Sequence, residues 1–234
     1  MKAWVFDIDG VLCDTGQTMS FDFRTWFINW AKDKKVFYVT GSHKEKTIEI
    51  LGNEVYNLGL VKYHCLGNYI VTSKEEYFFN QFSLKENENR FLQSLVKDSL
   101  YPIKTGSHIN QRPGSINFSI VGRNADPFQR QAYKEFDKIN NERISLIKEI
   151  QIHMPAYEAY LGGDISIDIT KSGANKGQCV EYIRTIDGIS DIIFFADRIG
   201  RHGIDQPFCD VMTPSDTFYH VNGYQDTWNI LKKI

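Results

Sequence analysis

The sequence predicts an α/β chain, a parallel sheet covered by helices on both faces and interrupted by an inserted α+β module. Three observations carry this. Short runs that are apolar throughout, "KAWVFDID", "KKVFYVTGS" and "SDIIFFAD", alternate with helical patterns in the first and last parts of the chain. Strands apolar on both faces belong to sheets buried on both faces. Each run ends in a polar residue capable of chemistry: Asp7 and Asp9, Thr40, and Asp197. Between them the pattern changes to strands with one polar face and long amphipathic helices, which describes a sheet covered on one side and open on the other.

Taken in order, "KAWVFDID" is the first strand. In "FDFRTWFINWAK", Phe23, Trp26, Phe27 and Trp30 recur at helical spacing. A second strand ends at Thr40, and "HKEKTIEILGN" predicts a helix closed by Gly52. In "LKENENRFLQSLVKDSL", Phe91, Leu92, Leu95 and Val96 form one apolar helix face. "GSINFSIVGRN" sets Ile116, Phe118 and Ile120 against Ser115, Asn117 and Ser119. "ADPFQRQAYKEFDKINNERISLIKEI" predicts one long helix, with Asp126 as N-cap, Pro127 at its first position and Gln129 completing a capping box. "GGDISIDIT" alternates Asp164, Ser166 and Asp168 with Ile165, Ile167 and Ile169. "KGQCVEYIRTI" is helical and "SDIIFFAD" the last predicted strand. The division expected is a core of residues 1–83 and 171–234 with an insert of residues 84–170.

The 234 residues suffice for a substantial core, and a net charge of −2 without any long Lys or Arg run argues against a nucleic-acid or membrane-surface partner. No run of about 18 apolar residues is present. The short N-terminal apolar stretch meets Asp7 at once, which argues against a signal peptide. Cys13, Cys65, Cys179 and Cys209 are far apart and lack CxxC spacing, as expected of reduced thiols in a cytosolic protein. The histidines lack HxxxH-type pairing, which argues against zinc.

Ligands of open α/β sheets bind beyond the carboxyl ends of the strands. Asp7, Asp9, Thr40 and Asp197 fall at such ends, Asp205 follows eight positions after Asp197, and Lys176 stands at the start of a helix. Carboxylates gathered from separate strands suit one hard cation, and Mg²⁺ is the natural choice. Asp7 can then attack a phosphoryl group, Asp9 can carry the proton, and Thr40 and Lys176 can hold the transferring oxygens. Singly, each residue has a plainer reading: a loop start or general metal site, a helix cap, a turn, a solvated lysine. The combination in this order carries the chemistry.

DxDGVLCD, the Thr of VTGS, the Lys of NKGQ and the ADR…GID stretch resemble the four motifs of the haloacid dehalogenase-like phosphotransferases. The resemblance covers the whole chain and implies a Rossmann-like core with an inserted cap of the C2 subclass. It implies Asp7 as nucleophile, Asp9 as acid/base, Thr40 and Lys176 as phosphate ligands, and Mg²⁺ on Asp7, the Asp9 carbonyl and Asp197, supported by Asp205. "NQRPGSINFSIVGRNADPFQR" and "YLGGDISIDITKSGANKGQC" are similar to the eukaryotic-type phosphomannomutases. That likeness implies sugar-phosphate binding through Arg112, Arg123, Arg130, Ser166 and Asp168, a hexose bisphosphate activator, and a homodimer formed through the caps. The residues agree on their own terms. Arg123 continues the polar face of its strand, Arg130 lies in the first turns of a capped helix, and guanidinium groups grip phosphate through paired hydrogen bonds. The alternative for these arginines is a solvated sheet face.

Two positions depart from the phosphomannomutase pattern. Gly16 stands where that family carries an arginine in the loop after the nucleophile strand, and Ile204 where it carries an asparagine. Loss of a phosphate anchor favours release and hydrolysis, whereas a mutase must retain its bisphosphate intermediate. The full cap set beside the full catalytic set makes the expected function interconversion of hexose (mannose) 6-phosphate and 1-phosphate. The alternatives are a sugar-phosphate phosphatase on the same fold, a non-catalytic phosphosugar-binding protein and, more distantly, a nucleotide-sugar glycosyltransferase using its DxD with a metal.

Overall fold

The apolar runs that end in acids become neighbouring strands of one sheet. The computed structural model describes all residues, 1–234. The chain runs β1 (Lys2–Phe6), α1 (Phe21–Ala31), β2 (Lys35–Val39), α2 (Lys44–Leu58), β3 (Gly59–His64), β4 (Tyr69–Val71), β5 (Glu76–Phe78), α3 (Glu86–Asp98), β6 (Ile109–Arg112), β7 (Ser115–Phe118), α4 (Pro127–Asn140), α5 (Glu142–His153), β8 (Tyr157–Leu161), β9 (Ile167–Lys171), α6 (Gln178–Arg184), β10 (Asp191–Ala196), α7 (Gln206–Asp210), β11 (Thr217–His220) and α8 (Tyr224–Leu231). The fold is mixed α/β, with a parallel-sheet core and a second, antiparallel sheet.

The larger sheet has the order β11-β10-β1-β2-β3-β4-β5, with β11 through β3 parallel and β4 and β5 antiparallel. Its core strands are buried because helices cover both faces. Phe6, Tyr38 and Phe195 pack with Phe23 and Phe27 of α1 on one face; Val5, Phe37 and Phe194 pack with Val180, Ile183 and Phe208 on the other. In register, Phe6 lies beside Phe195 and Tyr38. The residues that follow, Asp7, Thr40 and Asp197, therefore emerge side by side at one edge of the sheet. No helix is long and apolar enough to cross a membrane.

The smaller sheet has the order β6-β7-β9-β8, all antiparallel. Ile116, Phe118, Ile167 and Ile169 form its apolar face, packed against Leu92 of α3, Tyr133 of α4 and Ile147 of α5. The opposite face was expected to be open, and this is corrected. Ser115, Asn117, Ser119, Ser166, Asp168 and Thr170 are all buried, because that face is laid over the carboxyl edge of the larger sheet. Arg112 Nη1 donates to the Gly41 carbonyl at 2.8 Å, Leu161 N to the His202 carbonyl at 2.8 Å, and Arg198 Nη2 to Asp164 Oδ1 at 2.8 Å. Each contact joins the inserted region to the core.

Two helix expectations are also corrected. The long helix after Asp126 is two helices. Asn141 takes φ 53°, a conformation asparagine tolerates better than most residues, and the Asp137 carboxylate receives Arg143 N at 2.7 Å and Arg143 Nε at 2.8 Å, fastening the start of α5. The predicted capping box holds, with Gln129 N donating to Asp126 Oδ1 at 2.8 Å and Asp126 N to Gln129 Oε1 at 3.0 Å. Gly52 does not close α2. It kinks the helix at φ 74°, ψ 158°, and helical structure resumes to Leu58. A Cβ there would lie 3.0 Å from the Arg24 guanidinium, so both the left-handed turn and the close approach need glycine.

The two connections to the inserted region meet at Asn68. Its buried amide donates to the carbonyls of Cys65 (2.9 Å), Gly114 (3.2 Å) and Ala174 (3.0 Å), and its Oδ1 receives Asn80 (2.9 Å) and Gln178 (3.1 Å). Asn68→Ala leaves these groups buried without partners and is expected to cost about 2–4 kcal/mol in urea unfolding. A loss below about 0.5 kcal/mol would show that the hub adds nothing.

His64, fully buried at the end of β3, lies between Thr47 Oγ1 (3.3 Å) and Tyr56 OH (3.1 Å). Burial pulls its pKa from 6.5 to about 3. Between those values the unfolded chain binds a proton that the folded chain excludes. The stability this histidine contributes is thus complete above pH 6.5 and is lost as pH falls toward 3, at up to about 1.4 kcal/mol per pH unit. Urea midpoints measured from pH 7 to pH 4.5 should fall steeply in the natural chain and less steeply in His64→Gln. Equal slopes would contradict this.

Candidate active site

At the carboxyl edge of β1 and β10, three acids cluster and two of them share one lysine. Lys176 Nζ donates to Asp7 Oδ1 at 2.7 Å and to Asp205 Oδ1 at 2.6 Å, and the lysine has no exposed surface. Carboxylate oxygens of Asp7, Asp197 and Asp205 lie within 4.8 Å of one another. Asp7 is placed by its strand, its N–H donating to the Phe195 carbonyl at 3.0 Å. Asp205 is held on its second oxygen by Arg198 N at 3.1 Å.

The electrostatics follow from crowding acids in a site closed to water. Burial first, then Asp205 and Asp197 against the opposing pull of Lys176, raises the Asp7 pKa well above the carboxylate range. Burial, and then Asp205, raises Asp197 to about 6. Burial alone would lower the lysine, but Asp205 and Asp7 outweigh it and hold Lys176 above its ordinary value. The cluster carries more negative charge than one ammonium neutralises.

The donor set fits a hard divalent cation. Asp197 Oδ1 is buried with no hydrogen-bond partner, beside two further carboxylates, and oxygen donors of this kind are what Mg²⁺ takes. Gly10 makes room, since a Cβ there would come within 2.3 Å of Asp197 Oδ2.

The other predicted residues surround this centre. Asp9 Oδ1 receives the N–H of Gly16 at 2.8 Å. Gly16 has φ 76° and is exposed with open space around it, so no side chain there reaches toward the carboxylates. Thr40 is buried at the end of β2, with its Oγ1 receiving Ser42 N at 3.0 Å. From the inserted region, Asp168 Oδ1 receives Asn117 Nδ2 at 2.7 Å and lies 3.5 Å from Arg112 Nη1. A Cβ on Gly41 would sit 3.1 Å from Asp168 Oδ2, and one on Gly162 2.6 Å from it, so Asp168 is pinched between the loop after Thr40 and its own sheet. Ser166 is buried on the same face. Arg123 Nη1 donates to Asn117 Oδ1 at 2.9 Å, and Arg130 Nη2 to the Arg123 carbonyl at 3.2 Å. Burial first, and then the charges of Arg112 and Arg130, lowers the pKa of Arg123. The like charges of Arg112 and Arg130 therefore reach Arg123, with Asp168 opposing them.

Ile204 is buried, its Cδ1 3.1 Å from where a Gly41 Cβ would stand. Sequence reasoning missed Arg198, which reaches Asp164 across the interface, and Asn117, which steers both Arg123 and Asp168. Arg198 had a signal in its place directly after Asp197, and Asn117 in its place on the polar strand face; Asn68 had none.

The fold is that of haloacid dehalogenase-like proteins. A haloacid dehalogenase-like hydrolase from Bacteroides thetaiotaomicron has a similar fold, with TM-score 0.63, 14% identity, and 99% of this chain and 98% of that one covered. The eukaryotic phosphomannomutase family model matches residues 23–234, beginning after the loop that holds Gly16, and the chain belongs to that family. A phosphomannomutase of Glycine max is 31% identical, covering 91% of this chain and 92% of that protein. One of Saccharomyces cerevisiae is 28% identical, covering 98% of this chain, so that the match extends to the Asp7 region, and 92% of that protein.

Proposed function

We propose that the chain is a Mg²⁺-dependent phosphomannomutase that interconverts hexose 6-phosphate and hexose 1-phosphate, with mannose as the expected sugar. The family match over residues 23–234 carries this reading. Residues 1–83 and 171–234 act as the catalytic core and 84–170 as a cap that admits and retains the sugar.

In this reading Asp7 attacks phosphorus through the oxygen that Lys176 does not hold. The bond from phosphorus to the sugar oxygen breaks, and Asp9 supplies the proton that oxygen needs. Thr40 and Lys176 hold the transferring oxygens, which carry more charge in the transition state. Arg112, Arg123 and Arg130 grip the phosphate that does not react, and Ser166 and Asp168 take sugar hydroxyls. The sugar then turns and accepts the phosphoryl group at its other end, Asp9 removing the proton. Mg²⁺ on Asp7, the Asp9 carbonyl and Asp197, with Asp205 behind, would neutralise the phosphoryl oxygens. The cap contacts at Gly41, His202 and Asp164 must part to admit substrate, and their closure excludes water. A hexose bisphosphate primes the cycle by phosphorylating Asp7.

The second reading is a sugar-phosphate phosphatase, favoured by one observation: with Gly16 in place, its loop carries no Lys or Arg to grip phosphate. Incubation with mannose 6-phosphate, Mg²⁺ and a hexose bisphosphate, followed by ³¹P NMR, separates the two. A 1-phosphate resonance is expected; free phosphate in its place would overturn the mutase reading. We place the enzyme in the cytoplasm, in keeping with four unpaired thiols. A cap-mediated homodimer agrees with the near-complete exposure of Leu100 and Phe128 in that region; a monomeric mass in sedimentation would exclude it.

A further inference from the structure

The inserted region and the acid cluster share one guanidinium. Arg198 directly follows Asp197, and its backbone is fixed: Arg198 N donates to Asp205 Oδ2 at 3.1 Å, and its carbonyl receives Asp205 N at 3.0 Å. Its side chain lies between two carboxylates from opposite sides of the interface. Nη2 donates to Asp164 Oδ1 at 2.8 Å, in the loop between β8 and β9, while Nε lies 3.6 Å from Asp197 Oδ2. The first contact is a hydrogen bond; the second is too long to be one and acts through charge. That charge reaches Asp197: burial and then Asp205 raise the pKa of this acid, and Arg198 is the first group that opposes them.

Asp164 is anchored from its own side. Its Oδ2 receives Lys134 Nζ of α4 at 2.9 Å, so the carboxylate belongs to the cap and moves with it. The core loop that begins at Arg198 carries a second contact, Leu161 N on the His202 carbonyl at 2.8 Å. When the cap lifts, both contacts part together, and the guanidinium loses its hydrogen-bond acceptor. The carboxylate left beside it is Asp197.

We propose that Arg198 is a positioning residue that couples closure of the cap to cation binding at the acid cluster. With the cap closed, Asp164 draws the guanidinium off Asp197 and leaves that carboxylate to a divalent cation. With the cap open, Arg198 turns to Asp197 and competes with the cation for its charge. Such coupling is reciprocal. A cation on Asp197 repels the guanidinium toward Asp164 and so favours the closed cap. The coupling rests on the cation site and the moving cap of the proposed function, and not on which reaction they serve.

Calorimetric titration of the full chain with Mg²⁺, in the absence of sugar, tests this through a double-mutant cycle. Asp164→Asn should weaken Mg²⁺ about five-fold or more, because Arg198 then has only Asp197 to pair with. Arg198→Met should tighten Mg²⁺, and in that background Asp164→Asn should change the affinity by less than about two-fold. A purely structural effect of Asp164, or of its negative charge alone, would act equally with and without Arg198. Should Arg198→Met not fold, Arg198→Gln removes the charge while keeping a donor for Asp164, and should tighten Mg²⁺ likewise. No weakening in Asp164→Asn, or an equal factor in the two backgrounds, overturns the proposal and leaves the cation site standing. A natural chain that binds no Mg²⁺ overturns both.

Discussion

Asp7→Asn should lower turnover by at least about 10⁴-fold, the scale of loss seen when a nucleophile is removed from a constellation that acts as a unit. The amide keeps the shape of the carboxylate but cannot form the acyl phosphate, so 1-phosphate formation and phosphate release should disappear together. Stability should behave differently. Burial and the neighbouring acids already push Asp7 toward its neutral form, and Lys176 retains Asp205 at 2.6 Å. The variant should therefore melt no lower than the natural chain in metal-free buffer. Loss of activity with a preserved melting temperature supports the nucleophile role. Retention of more than about one per cent of turnover would remove Asp7 from it.

Lys176→Met should have the largest effect on the fold. The ammonium is the one cation bonded to both Asp7 and Asp205, and it is completely buried. Removing it leaves carboxylates of Asp7, Asp197 and Asp205 within 4.8 Å of one another without that charge. Breaking a buried pair by deleting one partner costs about 3–5 kcal/mol. Urea unfolding should register that loss in chelator, and added Mg²⁺ should restore part of it, because a cation on the acids replaces the missing charge. Turnover should fall by about 10²–10³-fold even at saturating Mg²⁺, since one donor to the transferring oxygens is gone. A loss below about 1 kcal/mol, unaffected by Mg²⁺, would contradict the electrostatic account of the cluster.

The parts of the fold legible in the sequence are those in which burial leaves a local mark. β1, β2 and β10 are apolar on both faces because helices cover both, and α1 carries its aromatic stripe at helical spacing. β3 was hidden by Lys62 and His64, polar residues that tertiary contacts bury. β4, β5 and β11 span three or four residues each, too few for a period to register. The break at Asn141 carries neither Gly nor Pro, and what fastens it is the Asp137–Arg143 pair. Alternation in β7 and β9 correctly separated two faces, yet alternation states only that the faces differ. It does not tell whether water or another sheet covers the polar one.

Much the same division holds for the candidate site. Asp7, Thr40 and Asp197 were legible because each directly follows an apolar strand, and parallel register brings such ends together. That Lys176 sits between Asp7 and Asp205 was not legible: the resemblance implied only a phosphate ligand there, and the contact with Asp7 spans 169 residues of chain. The hub at Asn68 and the Arg198–Asp164 bridge exist only once the two sheets face each other.

The central claim, that the phosphoryl group passes through Asp7, is tested most directly by mass spectrometry of enzyme quenched during turnover with a hexose bisphosphate and Mg²⁺. The account predicts one phosphoryl group on the peptide containing Asp7, discharged when hexose 6-phosphate is added and absent in Asp7→Asn. Turnover that continues with no label on that peptide, or with the label on another residue, would contradict it.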